Sequence, residues 1–186
     1  MLIGPVTTTL NVQSTPPGMQ LSLDTGGVTT PASHLVMAGS SHQLIAPAIQ
    51  NHRSFVAWAD GEPARVRQIV VATTPQTYTA TYINKPPSAL ASAAPDQAPF
   101  TVDFSAARAT DPEGDALTYA WDFGDGALAA TAAPAHRYLA PGLYLARLTV
   151  ADTLGASDSR SLRLLIDGQG KPTVLSSFVN LPLVRR

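Results

Sequence analysis

Apolar residues in this chain recur at every second position in short bursts, and Pro- and Gly-rich turns separate the bursts. TTTLNVQ (7–13), MQLSLD (19–24), SHQLIAP (41–47), SFVAWAD (54–60), VRQIVVA (66–72) and QTYTATYIN (76–84) follow this rule in the first half. FTVDFSA (100–106), LTYAWDF (117–123), HRYLAPGLYLARLTVAD (136–152) and DSRSLRLLID (158–167) follow it in the second. A period of two places alternate side chains on opposite faces of a strand, with one face buried. No stretch shows the 3.6-residue period of an amphipathic helix. STPPG, DTGG, PAIQNHR and DGEP supply the turns, since Pro fixes φ and Gly admits positive φ. The pattern predicts an all-β chain of antiparallel sandwiches.

Composition narrows the functional classes. The 45% apolar content over 186 residues can build a core, and 16 Pro with 13 Gly suits many short strands. Charged residues make up 13% and the net charge is −1, so no basic face for nucleic acid is expected. There is no cysteine, which excludes disulfides, thiolate metal sites and cysteine nucleophiles. No segment reaches the roughly 20 apolar residues that span a bilayer. The opening MLIGPVTTTLNVQ lacks the basic and apolar regions of a signal peptide. An exported protein would then have its export signal elsewhere.

At 84–99 the chain turns rich in Pro, Ala and Ser, and the doubled proline of NKPP reads as a stiff junction between two domains. The expected organisation is a first domain over 1–83, a second over 84–168, and a tail or terminal strand over 169–186. AWADG (57–61) and AWDFGDG (120–126) echo one another across that junction. In each, a Trp precedes an Asp-Gly pair suited to a tight hairpin. Trp58, Trp121 and Phe123 are expected in the cores, with Gly124, Asp125 and Gly126 forming a turn.

Four ordered motifs in the second half carry a resemblance: DPEGD (111–115), WDFGDG (121–126), HRYLAPGLY (136–144) and VADTLG (150–155). Together they resemble the PKD domain, an immunoglobulin-like β-sandwich common in bacterial surface proteins and secreted hydrolases. LNVQSTPPGMQLSLDTGGVTTP in the first half resembles PEGA-type surface domains, and its continuation resembles bacterial immunoglobulin-like repeats. The resemblances imply two tandem immunoglobulin-like sandwiches acting outside the cell or at its surface. The expected role is that of a non-catalytic spacer or adhesion segment of a larger exported protein. Its expected partners are the parent protein's other domains and a surface protein or polysaccharide. The competing role is a carbohydrate-binding accessory module of a sugar-active enzyme.

Chemistry is sparse. Asp111, Glu113 and Asp115 alternate along DPEGD, so their oxygens can converge on a hard cation. The PKD resemblance implies structural calcium held by Asn84, Asp111, Glu113 and Asp152, with Glu113 standing where Asp is usual. Simple turn chemistry, with acids accepting backbone N–H groups, explains the same residues. His34, His42, His52 and His136 are scattered, and neither G-x-S-x-G nor H-E-x-x-H occurs. Ser41 and His42 are adjacent, but a triad needs convergence in space with an acid. A carbohydrate site would need an exposed aromatic, for which Trp58, Tyr78 and Tyr82 are the candidates. The apolar-then-basic end FVNLPLVRR reads as a terminal strand or a true C-terminus.

Overall fold

The computed structural model describes residue 4 and residues 6–175, and the FVNLPLVRR end lies outside the described residues. The described chain is all strand and loop, and it divides into two compact units between Lys85 and Pro86.

In the first unit the strands are β1 (Thr7–Thr15), β2 (Gln20–Leu23), β3 (Gly26–Thr29), β4 (Ala32–Met37), β5 (Ser41–Ile45), β6 (Ile49–Gln50), β7 (Arg53–Trp58), β8 (Val66–Val70) and β9 (Gln76–Ile83). They form a five-stranded sheet, β4-β1-β9-β7-β6, and a four-stranded sheet, β3-β2-β5-β8. Leu10, Val12, Trp58, Ala80 and Tyr82 of the first sheet meet Leu21, Val28, Leu44 and Ile69 of the second in one core. The alternation of β1 is why this works: Thr8, Leu10, Val12 and Ser14 all point inward.

Two features depart from the expected antiparallel sandwich. β1 and β9 run parallel, from Leu10 beside Gln76 to Thr15 beside Thr81. The first and last strands of the unit share no hairpin, so no tight turn imposes an antiparallel pairing. β4 has no counterpart among the expected strands. Its Leu35 and Met37 are exposed while Val36 is half-buried, so apolar residues occupy both faces and no polar alternation marks it.

The second unit holds β10 (Ser92–Pro95), β11 (Thr101–Ser105), β12 (Thr118–Asp122), β13 (Leu128–Ala129), β14 (Ala135–Arg137), β15 (Gly142–Ala151), β16 (Ser157–Ile166) and β17 (Pro172–Leu175). β10-β11-β14 make one sheet and β13-β12-β15-β16-β17 the other, every pair antiparallel. Val102 and Phe104 of the small sheet pack against Trp121, Leu148, Val150 and Leu164 of the large one. The 84–99 stretch is more than a junction, because β10 pairs with β11 and Ala89 joins the core. Its small side chains hid the strand pattern. β17, in the first part of the 169–186 tail, closes the edge of the large sheet.

Candidate cation site and aromatic column

Asp111 opens a five-residue turn. Its Oδ1 accepts the N–H of Glu113 at 2.8 Å and of Asp115 at 3.1 Å, while Gly114 N–H donates to Asp111 O at 3.2 Å. Gly114 has φ +81°, which a side chain would oppose. Asp152 does the same after β15: its Oδ1 accepts Leu154 N–H at 2.8 Å and Ala156 N–H at 2.9 Å. Such turns use up one carboxylate oxygen on the backbone and leave the other to point elsewhere.

Those second oxygens matter. Asp111, Asp115 and Asp152 each bring a carboxylate oxygen within 4.8 Å of the others. With calcium–oxygen distances of about 2.3–2.6 Å, that spread matches one coordination sphere. Asp152 is 6% exposed, and Asp111 Oδ2 is buried with no hydrogen-bond partner. The carboxylate brought to Asp111 and Asp152 is that of Asp115; Glu113 is not in the group. Asn84 belongs to the first unit. Asp167 supplies an internal contrast, since its Oδ1 caps Gln169 N–H and Lys171 N–H in the same way yet joins no such group. Turn capping alone therefore does not gather acids.

The approach to this loop is pinned. Ser88 and Thr110 exchange backbone hydrogen bonds of 2.8 and 3.3 Å, and Ala89 N–H donates to Asp158 Oδ2 at 2.9 Å.

WDFGDG lies apart from the acids and builds an aromatic column. Trp121 and Phe123, two apart on one face, are 1% and 2% exposed, and Phe104 tilts against both at 5.1 and 4.9 Å. His136 stacks flat on Phe123 at 4.1 Å and meets the edge of Tyr138 at 4.7 Å. Its Nε2 is 2.8 Å from Asp125 Oδ2, while Asp125 Oδ1 accepts Ala127 N–H at 3.1 Å. Tyr138 donates to Phe123 O at 3.0 Å, and burial pushes its phenol well above the ordinary range. These contacts order a core.

The aromatics that a sugar would need are committed elsewhere. Trp58 and Tyr82 are 2% and 3% exposed, and the Arg67 guanidinium covers the Tyr78 ring at 4.7 Å. One constellation escaped the sequence reading altogether: Ser40, His42 and Asp24 hydrogen-bond in series on the first unit. Ser40 stands just before β5 and His42 within it, but Asp24 is brought in by a separate turn.

Among solved structures, the PKD1 domain of Vibrio anguillarum Epp is similar at 28% identity with a TM-score of 0.40, covering 46% of this chain and 98% of that one. The microbial collagenase of Vibrio alginolyticus is 33% identical over 70 residues, which is 38% of this chain and 9% of the relative. The pre-pro-metalloprotease PrtV of Vibrio cholerae is 33% identical over 73 residues, 39% of this chain and 8% of the relative. The chain thus spans under a tenth of the length of these curated relatives. The family model described as PKD domain matches residues 84–165, and that segment of the chain is a PKD domain.

Proposed function

We propose that the chain is a non-catalytic accessory segment of a larger exported bacterial protein, working outside the cell or at its surface by spacing a partner domain and contacting protein. The observation that carries this reading is the PKD match over 84–165, shared with a collagenase and a pre-pro-metalloprotease of which it forms a small part. The first unit, with its PEGA-like and immunoglobulin-like sequence features, serves as a second module of the same kind.

The outer face of the large sheet supports protein contact. Leu143 lies beside Leu165, Leu145 beside Arg163, and Asp122 beside both Leu128 and Arg147. The four leucines are 42–75% exposed. A groove of about 640 Å³ runs between Leu128 and Ala130 on one side and Arg147 and Thr149 on the other. Exposed apolar surface with arginine is the composition of a protein interface. A sugar platform would instead need a free aromatic face, and Trp58, Trp121, Tyr78 and Tyr82 offer none.

The same reading includes a structural calcium ion. Three converging carboxylates and a buried, unpartnered Asp111 oxygen suit a hard cation, which would neutralise their mutual repulsion. Asp111, Asp115 and Asp152 would hold it, with Asp115 in the place the resemblance implies for Glu113. Asn84 remains a proposed ligand on the resemblance alone. Extracellular calcium modules bind with Kd of roughly 10⁻⁴–10⁻³ M, so a tenfold excess stabilises by about 1.4 kcal/mol. That stiffens the Asp111 loop without driving folding.

Co-sedimentation of the full chain in millimolar calcium tests both parts. Retention on fibrillar protein, and not on cellulose or chitin, is expected. Retention on the polysaccharides alone transfers the chain to the carbohydrate-binding class, and retention on neither removes the contact role. The melting temperature should rise with calcium in the parent and in Glu113→Gln, but not in Asp111→Ala or Asp115→Ala. An unchanged parent removes the ion.

A further inference from the structure

Asp24 occupies the turn between β2 and β3 with φ +54°. It is fastened to β5 twice: its N–H donates to Gln43 O at 2.8 Å, and its Oδ1 accepts Gln43 N–H at 2.9 Å. This double attachment aims Oδ2 at the neighbouring side chain, His42, whose Nδ1 lies 2.8 Å away. His42 Nε2 lies 2.9 Å from Ser40 Oγ. Ser40 is itself held from both sides. Its N–H donates to Met37 O at 3.2 Å, its carbonyl accepts Val71 N–H at 3.0 Å, and the preceding Gly39 has φ +83°.

Hydrogen accounting gives these contacts a direction. A carboxylate only accepts, so Asp24 selects the tautomer of neutral His42 with hydrogen on Nδ1. Nε2 then carries its lone pair toward Ser40 Oγ, whose one hydrogen is donated to Met37 O in this structure and must swing to Nε2 before the hydroxyl attacks. Acid, imidazole and hydroxyl stand in the order and at the distances of a nucleophilic triad, which is recognised by geometry and roles and not by order in sequence. The His42 hydrogen bond, with help from Gln43 N–H, also holds the Asp24 carboxyl below the ordinary range, keeping it charged in its orienting role.

We propose that Ser40, His42 and Asp24 form a triad that makes Ser40 Oγ a nucleophile toward small activated esters, a reactivity that would confine the non-catalytic reading to the second unit and leave the accessory role of the chain in place. His42 acts directly on the reacting hydroxyl; Asp24 is a positioning residue. Ser40 Oγ attacks the ester carbonyl carbon as Nε2 takes the hydroxyl proton. The tetrahedral adduct collapses with loss of the alcohol or phenol, which receives that proton, and leaves an acyl group on Ser40. Water, deprotonated by the same Nε2, then releases the acid and regenerates the hydroxyl.

The surroundings set the substrate class. Gly39 N–H and Ser40 N–H both donate to main-chain carbonyls, to Val71 O at 2.7 Å and Met37 O at 3.2 Å, so neither is turned toward an ester oxygen. The developing oxyanion falls to water, which forgoes the large stabilisation that preorganised donors supply. Only acyl or phosphonyl donors with good leaving groups react under that condition. The site is also open, with side-chain exposures of 18% for His42 and 48% for Asp24, and favours small reagents. Met37 O, 2.5 Å from Ser40 Oγ, competes for the hydroxyl hydrogen and holds Oγ in position.

The test uses the full chain with a fluorophosphonate probe, whose P–F bond breaks as the bond to Ser40 Oγ forms, and with p-nitrophenyl acetate. Peptide mapping should place the adduct on Ser40, at least tenfold faster than on adjacent Ser41 and than on the urea-unfolded chain. His42→Gln should slow both reactions about 100-fold, the low end of general-base catalysis, and Ser40→Ala should abolish the adduct. Asp24→Asn, on a half-exposed turn, should slow both about tenfold or more through the wrong tautomer. Circular dichroism confirms that each variant is folded, and Asp24→Asn decides the matter if His42→Gln is not. No adduct on Ser40, or equal rates in parent and folded variants, overturns the proposal. Such a result leaves the accessory role untouched.

Discussion

The two Trp–Asp–Gly segments look alike in sequence and do different work. Trp121 is the last residue but one of β12, which turns straight into a true hairpin with β13. Trp58 ends β7, but the chain beyond Asp60-Gly61 crosses to β8 in the other sheet. The surroundings diverge as well. Trp121 sits in a stack of rings, and its buried Nε1–H has no hydrogen-bond partner. Trp58 donates Nε1–H to Ala64 O at 2.9 Å and lies under Arg67, whose guanidinium forks onto Asp60 at 3.0 and 2.8 Å. One unit plugs its core with aromatic packing, the other with a ring tied down by polar contacts. A shared motif marks a shared place at the end of a core strand; what surrounds it decides how it is held.

The glycines near the two turns offer the widest contrast. Gly61 has φ +89° and no heavy atom within 4 Å of the place a Cβ would take, so Gly61→Ala meets only the left-handed penalty of about 1–2 kcal/mol. Gly124 has φ +81°, and a Cβ there would stand 2.7 Å from Leu145 O and 3.0 Å from Leu145 N. Those atoms belong to β15 in the centre of the large sheet and cannot swing aside. Gly124→Ala should therefore lose about 3 kcal/mol or more, the left-handed penalty plus overpacking. Urea titration of both variants checks this, and equal losses would show that β15 yields to the hairpin.

Phenylalanine at each tryptophan separates ring packing from the indole hydrogen bond. Trp58→Phe removes a donor that is in use and leaves the carbonyl of exposed Ala64 to water, whereas Trp121→Phe removes one that is buried and idle. Both lose ring contacts. Trp58→Phe should be the more destabilising by about 1–2 kcal/mol, since a used hydrogen bond is worth about 1 kcal/mol and an unsatisfied buried donor counts against the native state. If Trp121→Phe loses more, packing in the aromatic column outweighs the orphaned N–H.

Strands with one polar and one apolar face were legible from residues alone, as in β1, β9 and β16, because burial of one face writes itself into alternation. β4 and β10 were not: one carries apolar residues on both faces, the other has almost no side chain to read. The parallel pairing of β1 with β9 leaves no trace in either strand, since register between distant strands is settled by packing. Around the acids, D-P-E-G-D displays three carboxylates. Gly114, at positive φ, is what folds Asp115 back toward Asp111, and a spacing rule cannot choose between Asp115 and Glu113. The Ser40–His42–Asp24 series was hidden by distance. Its acid lies 18 residues from the histidine, while the adjacent Ser41-His42 pair points to opposite faces of its strand.

The smallest expected effect concerns how each turn is latched in acid. Asp125, on the β12–β13 loop of the large sheet, reaches His136 on β14 of the small sheet, so this contact ties the two sheets together. Burial pushes the Asp125 carboxyl up, but the His136 hydrogen bond, Ala127 N–H and the charge of His136 outweigh it and hold the group below its ordinary value. A lowered carboxyl contributes stability that is whole above the unfolded value of about 3.9 and is lost as pH falls through the lower folded value. Asp125→Asn should therefore lower stability at neutral pH and flatten its decline below about pH 4. Trp121 fluorescence in a Trp58→Phe background reports on the second unit alone. The corresponding acid of the first unit, Asp60, is also lowered, chiefly by the Arg67 hydrogen bond, but it is exposed, where solvent and salt screen the pair. Asp60→Asn, followed through Trp58, should change the acid decline less than Asp125→Asn does. The opposite ranking would mean that the forked arginine, and not the histidine stacked in the core, is the stronger latch.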